Sequence, residues 1–128
     1  MTYRYITTPI YYVNDRPHMG HAYASVHADI MARYLRAAGH QVVLLTGADE
    51  HGEKIAKAAI EAGEAPRVFA ERHAKSFLEA WRRLSVEPDL FVRTTVPAHA
   101  RVVSECLRRL FDAGEIYLAD YEGLYSVG

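Results

Sequence analysis

Two hydrophobic periods share this chain. Tyr3-Arg4-Tyr5-Ile6-Thr7-Thr8 is rich in β-branched and aromatic residues and reads as a strand ended by Pro9. Ile10-Tyr11-Tyr12-Val13 continues extended into a turn at Asn14-Asp15-Arg16-Pro17. From Gly20 to Ala38 the period changes: Tyr23, Val26, Ile30, Tyr34 and Leu35 recur at helical spacing, Asp29 and Arg33 form a helix-supporting pair on the wet side, and Gly39 is placed to cap the C-terminus. Gln41-Val42-Val43-Leu44-Leu45-Thr46 is nearly continuous in apolar residues, the pattern of a parallel strand covered on both faces, and Gly47 to Gly52 reads as a polar loop at its C-terminal end. Glu53 to Ala62 reads as a helix stopping at Gly63, and Pro66 opens another at a first-turn position. In that helix Phe69, His73, Phe77, Trp81 and Leu84 form a core stripe. Leu90 to Thr95 is a third strand, bounded by Pro88 and Pro97. The helix predicted from Ala98 to Ala113 carries Val102, Val103, Cys106, Leu107, Leu110 and Phe111 on one face, with Cys106 read as an inert packing residue of a buried stripe. Ile116 to Val127 reads as extended, with Tyr117, Tyr121, Tyr125 and Val127 interleaved with polar residues and glycines.

The predicted order is β-α-β-αα-β-α-β. Strands alternating with helices argue for an α/β fold with a doubly wound parallel sheet and right-handed crossovers. In such sheets ligands bind outside the C-terminal ends of the strands. Two polar constellations fall on that edge: Tyr12 to His21 after the first strand, and Gly47 to Gly52 after the second.

Composition narrows the function. With 128 residues there is room for one domain, and a make-up of 50% hydrophobic and 24% charged residues is that of a soluble globular protein. Lys and Arg number 15 against 16 Asp and Glu, so no global field recruits nucleic acid or membrane, and any nucleic-acid contact must come from a local patch. The single cysteine, Cys106, excludes an intrachain disulfide framework and a cysteine-based zinc site. No signal peptide or spanning segment is legible, which makes the cytoplasm the default compartment. The sequence stops at Gly128 without a closing element, as a fragment would.

The chemistry centres on His18-Met19-Gly20-His21, at the mouth of a helix that follows a strand and a turn. A helix N-terminus presents free N–H groups and a positive dipole end to an anion. Neutral imidazoles at His18 and His21 would donate to phosphoryl oxygens, and Gly20, lacking a side chain, would let a flat ring lie against the backbone. The alternative is a turn that merely holds two surface histidines. A Walker-type loop and a dinucleotide fingerprint are absent, and His18, His21 and His51 lack a carboxylate or cysteine at a familiar metal-ligand spacing. In Asp49-Glu50-His51-Gly52, Asp49 at a strand end can hold a substrate ammonium or cap the next helix, with Glu50 and His51 as helix-start or cleft residues. Tyr11 and Tyr12 beside Ile10 could wall an apolar pocket or serve as core.

Taken together, Pro9-Ile10-Tyr11-Tyr12-Val13-Asn14, Pro17-His18-Met19-Gly20-His21-Ala22-Tyr23, Ala28-Asp29 and Leu45-Thr46-Gly47-Ala48-Asp49-Glu50-His51-Gly52 closely resemble the N-terminal catalytic region of bacterial methionyl-tRNA synthetases. Arg93-Thr94-Thr95 and Gly123-Leu124-Tyr125-Ser126-Val127 continue the likeness. The histidine tetrad alone would mark only the broader class I synthetases and related nucleotidyltransferases; the Thr46-to-Gly52 block is far more specific.

The resemblance implies the first half of a Rossmann-type class I catalytic domain over residues 1–115, truncated, with a connective insert beginning over 116–128. It implies that His18 and His21 bind ATP phosphates and stabilise the transition state, that adenine packs against Gly20, that Asp49 holds the methionine ammonium, and that Ile10 and Tyr12 line the amino-acid pocket. The reaction would be methionine plus ATP, with Mg2+, to methionyl-adenylate, followed by transfer to the methionine tRNA. Family members with a zinc knuckle carry cysteine where this chain has Ser126, so no zinc site is expected in this chain. The Lys-Met-Ser-Lys-Ser loop of the family is not in these residues, and the segment alone is expected to be inactive. A truncated nucleotide- or protein-binding module, or another class I-like nucleotidyltransferase, is the alternative.

Overall fold

The computed structural model describes residues 3–124. The chain forms two compact units, Met1–Val96 and Pro97–Gly128.

The first unit is a parallel sheet with its helices. Strands β1 (Tyr3–Tyr12), β2 (Gln41–Asp49) and β3 (Leu90–Arg93) are ordered β1-β2-β3, so β2 is central. Helix α1 (Met19–Ala37) crosses from β1 to β2, and α2 (Glu53–Glu61) with α3 (Pro66–Arg83) crosses from β2 to β3. This is the parallel α/β arrangement expected from the alternation of elements.

Pro9 does not end β1. Thr7 pairs with Leu45 and Ile10 with Gly47, so Thr8 and Pro9 together face Thr46 alone. This two-against-one step is a β-bulge, a position where a residue without an N–H is tolerated. Thr8 Oγ1 and Thr46 Oγ1 lie 2.6 Å apart across the bulge, and the Thr8 hydroxyl also donates to the Pro9 carbonyl at 2.8 Å. A one-residue slip exchanges the faces of a strand. Before the bulge the even positions Ile6 and Thr8 turn inward; after it Tyr11 and Val13 are buried, while Ile10 and Tyr12 stay exposed.

β2 runs through Asp49, so Gly47-Ala48-Asp49 is strand and not loop. Gly47 is held between two strands: a Cβ there would stand 2.3 Å from the Val92 carbonyl oxygen and 3.2 Å from Ile10 Cγ2. The chain then turns through Gly52, whose φ of 108° lies in the region that glycine alone enters freely, and α2 begins.

The core gathers Tyr11 and Val13 from β1 and its end, Ala48 from β2, Ile55 and Ala59 from α2, and Phe69, Phe77 and Trp81 from α3. The α3 stripe lies where its period placed it, except Leu84, which is exposed beyond the helix end. α1 is a helix with a different inner face from the one its large apolar residues suggest. Ser25, Asp29 and Ala32 are buried, whereas Tyr23, Ile30 and Tyr34 are exposed. Asp29 is therefore not on the wet side. Its carboxylate accepts from Arg33 Nε at 2.5 Å and from the Glu87 N–H at 3.1 Å, and Arg33 reaches on to the Ser85 carbonyl, where φ is 55°. The small residues Ser25 and Ala32 let α1 approach closely, and the buried carboxylate is satisfied by Arg33 on its own helix and by the Glu87 N–H of the segment before β3.

In the second unit, α4 (Pro97–Asp112) has no buried residue. Cys106 is exposed, as are Val102, Leu107 and Phe111, so the apolar stripe is real but not core. A single helix has no second layer within its own unit to cover that face. Described residues 115–124 adopt neither helix nor paired strand, so the last strand of the predicted order does not form among them; Tyr125, Ser126 and Val127 lie outside the described residues.

Candidate active site

Parallel pairing brings the ends of β1 and β2 to one edge. Tyr12 is the register partner of Asp49, and Ile10 is the partner of Gly47. Residues two apart on a strand share a face, so Ile10 and Tyr12 stand beside the Gly47–Asp49 face of the next strand. Because Gly47 has no side chain, Ile10 can lie over the β2 backbone there. The Val13 N–H donates to the Asp49 carbonyl at 3.4 Å, tying the connection that leaves β1 to the end of β2. The Asp49 carboxylate is half-buried and accepts the His51 N–H at 3.4 Å; among the described residues it forms no ion pair. The structure thus brings Ile10, Tyr12 and Asp49 together.

The same connection delivers the histidines. His18 is the N-cap of α1, and the two imidazoles form a reciprocal capping box. The Gly20 N–H donates to His18 Nδ1 at 3.1 Å, and the His18 N–H donates to His21 Nδ1 at 3.2 Å. A nitrogen that accepts carries no proton, so each neutral ring holds its hydrogen on Nε2. Each ring therefore has a donor left for an external acceptor. The rings stack at 3.7 Å between centroids and 24° between planes. His18 is exposed and His21 half-buried. Burial, then the neighbouring His18, lowers the His21 pKa from its ordinary 6.5, which favours the neutral donor.

Gly20 has a purpose that its sequence position does not reveal. A Cβ there would stand 3.0 Å from His18 Cε1 and 3.2 Å from its Nδ1. The glycine first makes room for the His18 ring, and is itself exposed.

Other supporting residues emerge only in three dimensions. Tyr11 lies under His21, with ring centroids 4.8 Å apart, and Phe77 flanks the same imidazole at 5.0 Å. Glu50 is neither a helix-start nor a cleft residue: its side chain is fully buried and pairs with Arg93 Nε at 2.5 Å, and the Thr95 hydroxyl donates to its other oxygen. Thr94 Oγ1 accepts the Glu50 N–H at 2.9 Å. His51 Nε2 lies 3.2 Å from the Thr94 carbonyl. This network clamps the chain leaving β2 to the end of β3, beside Asp49. Adjacent Asp and Glu give no sequence signal as to which one turns inward. Among the described residues no group of three or more His, Cys, Asp or Glu side chains is placed to hold a metal ion.

The parallel sheet, with a histidine-capped helix after its first strand, matches the Rossmann-like part of the class I tRNA synthetases. The family model described as tRNA synthetases class I (M) matches residues 4–128. The chain belongs to the methionyl-tRNA synthetase family. The methionine–tRNA ligase of Rickettsia bellii is 48% identical over 123 residues, 96% of this chain and 24% of that protein. The chloroplastic/mitochondrial methionine–tRNA ligase of Arabidopsis thaliana is 48% identical over 122 residues, 95% of this chain and 20% of that protein. Among solved structures, Mycobacterium tuberculosis methionyl-tRNA synthetase in complex with methionyl-adenylate superposes with a TM-score of 0.94 at 42% identity, covering 99% of this chain and 25% of that one. The chain thus spans a fifth to a quarter of the length of these relatives.

Proposed function

We propose that this segment is the ATP- and methionine-binding part of an enzyme that activates methionine and transfers it to the methionine tRNA. The observation that carries the reading is the pairing of Tyr12 with Asp49 beside a helix capped by His18 and His21, in a chain with the family membership given above. Asp49 holds the methionine ammonium, and Ile10 and Tyr12 line the side-chain pocket. ATP enters with Mg2+, its adenine against Gly20 and its phosphates before the Nε2–H groups of His18 and His21. A methionine carboxylate oxygen forms a bond to the α-phosphorus, and the bond from that phosphorus to the bridging oxygen breaks. Pyrophosphate leaves with the electron pair. Negative charge grows on the phosphoryl oxygens during this step, where fixed imidazole donors and the α1 N-terminus stabilise it. Positioning of the two substrates supplies much of the remaining acceleration. A hydroxyl at the tRNA 3′ end then displaces AMP from the methionyl carbonyl.

In this reading residues 1–115 belong to the first half of the catalytic domain, and 116–128 open the connective insert. The segment acts within a longer polypeptide, in the cytoplasm, and is inactive when isolated. Methionine-dependent exchange of pyrophosphate into ATP by the full-length protein tests the proposal. Exchange stimulated by methionine and by no other standard amino acid to a comparable rate is expected; exchange that needs no amino acid contradicts it.

A further inference from the structure

The bulge at Thr8-Pro9 turns Tyr11 away from the substrate side of β1 and into the interior, where it is 6% exposed. There it meets His21 in two ways. Its ring packs at 4.8 Å and 53° against the imidazole. Its hydroxyl lies 3.1 Å from the Oγ of Ser25, a buried residue one turn further along α1, and 3.5 Å from the His21 carbonyl oxygen. Phe77 stacks on Tyr11 at 5.8 Å and 12°, and its ring lies 5.0 Å from that of His21. The His21 imidazole therefore meets the His18 ring and two core aromatics, one of which, Tyr11, carries a hydroxyl tied to the first turns of the same helix.

We propose that Tyr11 is a positioning residue for His21: its ring and its bond to Ser25 fix the imidazole so that Nε2–H points at the phosphoryl group during methionine activation. Tyr11 touches neither substrate. This rests on the activity proposed above. Removing the hydroxyl loosens the first turns of α1 against β1, and a misplacement of well under an ångström at a reacting group is enough to slow a displacement.

The test is a double-variant cycle in the full-length protein, read by methionine-dependent pyrophosphate exchange. Tyr11→Phe is expected to lower kcat by about tenfold, with the KM for methionine changed by less than about twofold. In a His21→Asn background the same change is expected to have almost no further effect, because the residue through which it acts is gone. A residue needed only for overall stability would lower the rate by the same factor in both backgrounds. Unchanged kcat in Tyr11→Phe, or factors that multiply in the double variant, overturns the proposal. If Tyr11→Phe does not fold, Ser25→Ala, which removes the partner of the hydroxyl, is put through the same cycle with the same expectations. Absence of methionine-dependent exchange in the unaltered protein overturns the proposed activity as well, whereas exchange that is present but insensitive to Tyr11 overturns this role alone.

Discussion

His18 fixes the tautomer of His21. The His18 N–H donates to His21 Nδ1 at 3.2 Å, while the two rings stack at 3.7 Å. A proton added to His21 Nδ1 would place two donors face to face and a positive ring against its neighbour. The lowered His21 pKa has the same sense, arising from burial first and His18 second.

A pH dependence follows. The folded-state pKa of His21 lies below the ordinary 6.5, so the unfolded chain binds the proton more readily. Stability from this group is complete above 6.5 and is lost as pH falls from there through the folded value. Pyrophosphate exchange is expected to hold from pH 8 down to about pH 6.5 and to decline below it. A rate profile across that range, with unfolding midpoints at the same pH values, checks both statements.

Gly20→Ala separates stability from activity. The added Cβ displaces the His18 ring and weakens the Gly20 N–H bond to Nδ1, a loss of about 1 kcal/mol. Alanine is favoured over glycine in a helix by up to about 1 kcal/mol. The two nearly cancel, so the unfolding midpoint should move little while exchange falls at least about tenfold, since His18 no longer presents its Nε2–H correctly. Parallel denaturation and exchange measurements test this.

Gly47→Ala has the opposite signature. Its Cβ meets a backbone oxygen, that of Val92, at 2.3 Å, and no side-chain rotation relieves the clash. β2 and β3 must separate, at a cost of about 3 kcal/mol or more. The full-length protein should show a clear drop in its first unfolding midpoint.

The strand–helix alternation was legible because each element carries its own period, and α3 placed its core stripe correctly because large apolar residues there do face inward. The inner face of α1 was not legible. It is built from Ser25, Asp29 and Ala32, and a buried aspartate paired with Arg33 on its own helix looks like a surface one until the Glu87 N–H comes into place from a distant segment. Cys106 misled for the converse reason: an amphipathic stripe announces a covered face, but nothing within its own unit covers it. At the candidate site, residue types pointed to His18, Gly20, His21 and Asp49, since chemistry at strand and helix ends is local, whereas Ile10 and Tyr12 were singled out by the family resemblance alone. The supports Tyr11 and Glu50 were not distinguishable from their neighbours Tyr12 and Asp49, because a bulge and the last turn out of a strand decide which of two adjacent residues points inward.

In the proposed reaction the carboxylate edge and the histidine cap serve two different substrates. The most direct measurement is the steady-state kinetics of methionine-dependent pyrophosphate exchange for His21→Asn and Asp49→Asn in the full-length protein. His21→Asn should lower kcat about a hundredfold or more with little change in the KM for methionine, and Asp49→Asn should raise that KM about tenfold or more. Undiminished kcat in the first variant together with an unaltered KM in the second would contradict the account.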